Sequence, residues 1–553
     1  MKAKNFFPFI LILCILAFGC KEEEPLMLNP GEVKGELHEA NLGKIKFTDA
    51  IVPYAKLTEK NFLSTFGLRD SVNLNLLVFL AKTQTYFLHE LAPELSVNEL
   101  CKKGSYQISF YVDGQLTYLE NLQTGAGSCW FRNEVTVFRV PLLSTTDEEH
   151  WGRYLWIRFL KKGGGEKALS EGTHQLKIEM RPYIKADSLK VGPIIAEGAV
   201  QINTINKIVA ESEIALQPIA PVEDWPISEA TFDEQKIRAL NEKIAQNFFK
   251  DITSIVVARN GELLLEEYFN GANRNTLHDT RSVGKSFAST IMGIALKEGH
   301  IKSKMATLKD FYKLSEYNNN SNAKGNVSIQ SLLTMSSGFM GSDMDPDSPG
   351  NEEKMYPTSN WVKFALDLPM DGQKTPGKDF DYFTAGAILC GDILNQKAPG
   401  GLETYAAKKL FQPLGIKEYQ WQYTPQNVAN TAGGLQMNAL NLARFGQLYK
   451  NGGAWNGQQI IPKNWVEESL SRQIVADSTE NTFYGYLFWN KSYTVAGKAY
   501  EVAFASGNGG NKVFIFKDLP IVVVITATAF GQPFAHFQVD QMMEEYILPA
   551  LIL

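Results

Sequence analysis

Histidine is scarce in this chain: seven residues in 553, scattered, with no pair at ligand spacing, so a dedicated metal site is not expected. No basic patch with interleaved aromatics occurs and the formal net charge is -6, which removes the case for a nucleic-acid partner. The Gly-x-Ser-x-Gly elbow is absent, which argues against an α/β-hydrolase. The N-terminal apolar stretch, Phe6 to Phe18, is too short for a membrane span. There is no internal repeat, and low complexity is confined to Asn318-Asn319-Asn320. What remains is an ordinary globular composition, 44% apolar and 21% charged, in a chain long enough for several domains.

Against that background the informative feature is Ser282-Val283-Gly284-Lys285. A hydroxyl and an amine three residues apart share one face at the start of a helix. There the amine can take the hydroxyl proton, and the helix N-terminus favours negative charge at the oxygen. The spacing recurs at Ser321-Asn322-Ala323-Lys324, but in an Asn-rich stretch with no apolar periodicity after it, which reads as a solvated turn. Val283, Phe287, Ile291, Ile294 and Ala295 follow the first copy at helical spacing, so Ser282 is the one held rigidly.

The N-terminus reads as a targeting segment over 1–19, with Lys2 and Lys4 ahead of the apolar stretch. Its end, Leu16-Ala17-Phe18-Gly19-Cys20, resembles the lipobox of bacterial lipoproteins. That resemblance implies cleavage before Cys20, lipidation of its thiol, and a cell-envelope protein anchored to a membrane; an ordinary secretory signal is the plainer alternative. Residues 20–34 form a tether whose Lys21-Glu22-Glu23-Glu24 run is a solvated face, and it also looks like acidic signals that send lipoproteins to the cell surface. Export makes a disulfide between Cys101 and Cys129 plausible, while Cys390, in an apolar run, reads as core.

Residues 35–208 read mostly as strands. Tyr106 to Val112 alternates into the turn signal Asp113-Gly114, Gln115 to Leu119 returns, and Tyr154 to Phe159 and His174 to Met180 add further strands. This predicts an all-β, sandwich-like domain without a catalytic constellation. Pro218, Pro221 and Pro226 mark 209–232 as a linker. The region 233–553 opens with a helix from Asp233 and a hairpin turning at Asn260-Gly261, continues with helices and long loops, and ends in strands up to Thr528 and a final helix near Gln538. One antiparallel sheet closed by both ends of the region, flanked by helices, is the expected α/β (α+β) architecture. Asp343 to Pro357, rich in Asp and Glu, reads as a solvated surface loop or a lid. His278 and Asp279 read as capping and packing groups.

About residues 235–545 resemble the serine β-lactamase-like hydrolases, a family that includes class C β-lactamases, family VIII esterases, DD-peptidases and 6-aminohexanoate-dimer hydrolases. The ordered segments that carry the likeness are Arg281 to Phe287, Ser328 to Gly338, Pro376-Gly377 through Tyr382, Leu410 to Ile416, Gly433-Gly434-Leu435 through Arg444-Phe445, and Gly507-Asn508-Gly509-Gly510. The resemblance implies Ser282 as the acylated nucleophile, Lys285 as its base, and Tyr382 as the proton shuttle to the leaving group. It implies an oxyanion hole from the backbone N–H of Ser282 and of Gly510, with Thr384, Asn508 and Gly509 beside the substrate. No metal or organic cofactor is implied.

Two departures shape the expected substrate. The family's Tyr-x-Asn is Tyr382-Phe383-Thr384 here, which weakens recognition of a substrate amide. Aligning the glycines of Lys-Thr-Gly on Gly507-Asn508-Gly509 leaves no cation for a substrate carboxylate, and Lys512 lies in the following strand. An ester or amide hydrolase acting on a small-molecule or peptide substrate fits better than a true β-lactamase. A penicillin-interacting DD-peptidase or class C β-lactamase is the alternative within the class. A catalytically silent lipoprotein that binds glycan or cell-wall fragments is the alternative outside it.

Overall fold

The computed structural model describes residues 26–552, apart from Asp70, Thr145, Glu148, Glu149 and Asp187. The signal segment and Cys20 therefore lie outside the described residues. Among the described residues, no helix is long and apolar enough to cross a membrane. The chain divides into two compact units, Met1–Ile205 and Asn206–Leu553.

In the first unit, Ser96 caps α1 (Val97–Lys103), accepting from the Glu99 amide in a capping box. Strand β1 (Gly104–Val112) turns at Asp113-Gly114, both at positive φ, into β2 (Gln115–Asn121). Helix α2 (Cys129–Glu134) follows, and Cys129 is bonded to Cys101 of α1 with Cα atoms 5.5 Å apart. The unit is rich in sheet, but its strands, among them β3 (Gly172–Lys185) paired antiparallel to β1, form one sheet of nine among the described residues, and helices cover it. Tyr154 to Phe159, expected as a strand, lies in α3 (Trp151–Lys161). Leu155, Trp156 and Phe159 are buried along one helical stripe, and Phe159 stacks on Phe110 of β1 at a centroid distance of 4.5 Å. The aromatic enrichment suggested sheet; the burial period is helical.

The second unit opens with the proline-bearing segment read above as a linker, and that segment is strapped onto the unit. Asp224 makes a bidentate ion pair with Arg444, and the Trp225 indole donates to the Gly261 carbonyl at 2.8 Å. Helix α4 (Glu234–Ala245) follows, capped by Asp233. The hairpin of β4 (Ile252–Arg259) and β5 (Glu262–Tyr268) turns at Asn260-Gly261 as expected. After β6 (His278–Asp279) come the central helix α5 (Val283–Lys297), α6 (Thr384–Lys397), the short strands β7 (Tyr419–Trp421) and β8 (Leu435–Met437), and α7 (Ala439–Lys450). The chain then forms β9 (Ile474–Asp477), β10 (Thr482–Tyr484), β11 (Trp489–Val495), β12 (Lys498–Gly507), β13 (Asn511–Phe516) and β14 (Ile521–Ala527) before α8 (Ala535–Met542).

The main sheet runs β5-β4-β14-β13-β12-β11-β10-β9, with β4 antiparallel to β14, so both ends of the region close one sheet. Alternation on its central strands feeds two cores. Val513, Ile515, Val522 and Val524 pack with α5 and α7, while Phe514, Phe516, Val523 and Ile525 pack with α4 and the C-terminal helices. Helix α5 is buried from Val283 to Ala295. Phe287 stacks on Phe445 of α7 with centroids 3.8 Å apart, and Gly293 leaves room for Trp465, which a Cβ there would meet at 2.4 Å.

Candidate active site

Ser282 stands at the N-terminal end of α5, immediately after Arg281, whose φ is +49°. A non-glycine residue in that region carries backbone strain, held here by its surroundings. The Arg281 amide and guanidinium both bond to the Asp279 carboxylate, and the guanidinium lies over Phe530 at 4.5 Å. Behind the turn, the Thr280 hydroxyl donates to the Leu435 carbonyl of β8 at 2.5 Å. A Cβ on Gly433 would make ordinary contact, 3.4 Å, with the Arg281 carbonyl carbon, while one on Gly434 would meet the Asn430 side chain at 2.6 Å.

One helical turn on, Lys285 is 1% exposed, with Nζ 2.8 Å from the Ser282 hydroxyl and donating to the Ala432 carbonyl at 2.6 Å. Burial beside a carbonyl fixes the amine in one direction, onto the serine. The Nζ also lies 5.2 Å from the centroid of the Tyr382 ring. Three side chains separated by up to a hundred residues thus meet at one point.

Tyr382 sits in the loop that enters α6, and the other motif segments hold that loop. The Gly377 amide donates to the Ser336 carbonyl and the Asp381 amide to the Met335 carbonyl, at 2.7 and 2.8 Å. The Phe383 amide reaches the Met335 sulfur at 3.3 Å, and Met335 itself has a φ of +53°. The Ser-Ser-Gly and Pro-Gly segments therefore act as one clamp on the tyrosine. On its outer side Tyr382 stacks on Trp489 of β11, with centroids 5.6 Å apart and planes 21° apart, and Tyr484 and Phe380 complete the aromatic cluster. No sequence motif announced Trp489; its place follows from strand order alone.

The residues expected at the rim take distinct places around the Ser282 turn. A Cβ on Gly507, the last residue of β12, would meet the Thr280 carbonyl oxygen at 2.1 Å and the Ser282 amide nitrogen at 3.2 Å. Gly507 is thus the glycine against Ser282. At Gly510, the expected oxyanion donor, the α-carbon packs toward α8: a Cβ there would lie 3.0 Å from the Ala535 carbonyl oxygen. Gly509 packs on Phe530, and Asn508 is exposed, its side chain accepting from the Gly531 amide. Thr384 is fully buried, and its amide donates to Asp343. Lys512 shares its strand face with Phe514 and Phe516 and bonds Asp540 of α8 at 2.8 Å, on the side of the sheet away from α5. Burial lowers its amine to about 8.

His278 is buried against Thr253, and burial pushes its imidazole down to about 4, which suits packing and not proton transfer at neutral pH. Arg444 is likewise explained by packing: it ties Asp224 and the Leu414 carbonyl together. Among the described residues, no group of three or more His, Cys, Asp or Glu side chains is placed to hold a metal ion.

A sequence model of the Beta-lactamase family matches residues 246–545, more than half of the chain and the whole of the site just described. The chain belongs to the β-lactamase family. Solved structures similar to it include the octameric penicillin-binding protein homologue from Pyrococcus abyssi, at 20% identity over 56% of this chain and 76% of that one, TM-score 0.44. A D-stereospecific amidohydrolase from Streptomyces sp. is similar at 15% identity over 53% and 92%, TM-score 0.42. A family VIII carboxylesterase is similar at 17% identity over 55% and 95%, TM-score 0.42. No curated protein matches the chain. The β-lactamase fold accounts for the sheet closed by both ends and for the helical region that carries Tyr382; residues before 246 lie outside the match.

Proposed function

We propose that this β-lactamase family member is a serine hydrolase that cleaves an ester or amide through an acyl-enzyme at Ser282. The observation that carries the reading is the buried Lys285 amine 2.8 Å from the Ser282 hydroxyl, with Tyr382 over it. The amine takes the serine proton as Oγ attacks the carbonyl carbon. Tyr382 passes that proton to the leaving alcohol or amine, and water then repeats the sequence on the acyl-enzyme. The oxyanion meets the Ser282 N–H, with the second donor at the end of β12 beside Gly507. An ester or amide is preferred over a β-lactam because Lys512 turns to Asp540 and Arg281 is paired with Asp279, which leaves little charge to draw a substrate carboxylate. The protein works, on this reading, as an exported lipoprotein anchored through Cys20.

The test is intact-mass spectrometry of the wild type and Ser282→Ala after exposure to a fluorophosphonate, short p-nitrophenyl esters and a labelled penicillin. Adduct and ester turnover confined to the wild type support the reading, and a stable penicillin adduct moves it to the peptidase alternative. No adduct with any probe, together with glycan binding by the full chain, would favour the silent binding protein.

A further inference from the structure

The acidic segment from Asp343, read from sequence as a solvated loop or lid, places its first carboxylate at the start of α6, two residues past Tyr382. The backbone N–H of Asp343 donates to the Tyr382 carbonyl at 2.8 Å. Its Oδ2 accepts from the Thr384 amide, the first residue of α6, at 2.7 Å, and its Oδ1 accepts from the Glu352 amide, the first residue of the short helix Glu352–Met355, at 2.8 Å. Phe383, the residue before α6, provides no side-chain cap, so Asp343 caps α6 from another segment. Tyr382 is thereby held on its carbonyl and, two residues on, at the helix start.

We propose that Asp343 is the positioning residue of the site: its carboxylate sets where the Tyr382 ring stands over Lys285 and Ser282. The inference rests on the serine-hydrolase reading above for its kinetic consequence, but not for the geometry.

Both carboxylate oxygens are engaged as acceptors, so protonation turns one of them into a donor facing an N–H and breaks one of the two caps. The charged and titratable groups around it are Lys285 of α5, which favours the anion, and Glu352, which opposes it; its own charge acts in turn on Tyr356. Burial, reinforced by Glu352, raises the carboxyl to about 6. The clamp therefore loosens as pH falls through the range just below neutrality, before Asp or Glu groups in water take up protons.

The experiment uses the full chain, wild type and Asp343→Asn, with 3-fluorotyrosine at position 382 read by fluorine NMR from pH 5 to 8. In parallel, kcat and KM for a p-nitrophenyl ester are normalised to fluorophosphonate-titrated Ser282. The expected result is a wild-type fluorine shift with a midpoint near pH 6 that disappears in D343N. A kcat lowered roughly 10- to 100-fold at pH 8, with KM changed less than about threefold, would accompany it, as for misplacement of a reacting group by a fraction of an ångström. Asp343→Glu, which keeps the charge, should recover the pH-dependent shift in part. A fluorine signal with the same pH dependence in wild type and D343N overturns the proposal, as does a D343N kcat per titrated serine equal to wild type. If Ser282 takes no label at all, the serine-hydrolase reading fails on its own, and the fluorine signal still decides the positioning role.

Discussion

Gly507 at the end of β12 and Ser282 at the start of α5 are in backbone contact: a Cβ on Gly507 would lie 3.2 Å from the Ser282 amide nitrogen and 2.1 Å from the Thr280 carbonyl oxygen. The sheet thus presses directly on the turn that carries Ser282. Gly507→Ala should displace that turn, destabilising the protein by about 1–3 kcal/mol and lowering ester turnover per folded molecule by at least tenfold or so. Gly510→Ala, at a φ of +97°, should strain the turn and cost stability while sparing turnover per folded molecule. Thermal melts paired with active-site titration separate the two; the reverse ranking would restore Gly510 as the glycine of the site.

Removing the Lys285 amine should leave Ser282 without a proton acceptor. Lys285→Ala is expected to lower kcat/KM for a p-nitrophenyl ester by roughly 10²–10⁴-fold. Tyr382→Phe should cost less with an activated phenolate leaving group than with an alkyl ester, because a phenolate departs without a proton. Equal losses on both substrates would take Tyr382 out of leaving-group protonation.

Glu267 of β5 is fully buried, accepting from the Gln217 amide and the Asn241 side chain, and burial raises its carboxyl from 4.5 to about 7. The folded state therefore prefers the proton more than the unfolded chain does. Stability that is full below about pH 4.5 falls as pH rises and has been lost once pH passes about 7. Glu267→Gln removes the titration, so its stability relative to wild type should improve between pH 5 and pH 8, by an amount on the order of 2–3 kcal/mol. Chemical denaturation at the two pH values checks this; a difference independent of pH would contradict it.

The Cys101–Cys129 bond closes a loop spanning 28 residues in the first unit. Replacing both cysteines by serine should lower that unit's stability by about 3.5 kcal/mol, on the chain-entropy account. Ester turnover should be unchanged, since the site residues lie in Asn206–Leu553. A loss of turnover at temperatures where both units remain folded would show that the first unit takes part in catalysis.

How much of this was legible beforehand depended on how local each feature is. Ser282 and Lys285 could be read because three residues on a helix lie within one turn, and that geometry needs no other part of the chain. The Asn260-Gly261 hairpin and the Asp233 cap are local in the same way. Tyr382 was legible only through family resemblance, because nothing near it in sequence distinguishes it from a half-buried core aromatic. Residues 154–159 misled because aromatic content outweighed a stripe visible only over a longer window. The run 209–232 looked like a linker because its prolines break regular structure, and nothing local showed that Asp224 would find Arg444.

The amino-acid sequence by itself determined the family, the placing of Ser282 and Lys285 on one helical turn, and a sheet completed by both ends of one region, since each rests on short-range spacing or on ordered motifs. Tertiary structure alone decided which of four clustered residues, Gly507 to Gly510, lies against the serine, that Lys512 turns away to Asp540, and that Trp489 and Asp343 flank and brace Tyr382. Those outcomes depend on which strand face meets which helix and on how closely two backbones approach. Both are set by packing between segments tens to hundreds of residues apart, where spacing along the chain carries no information.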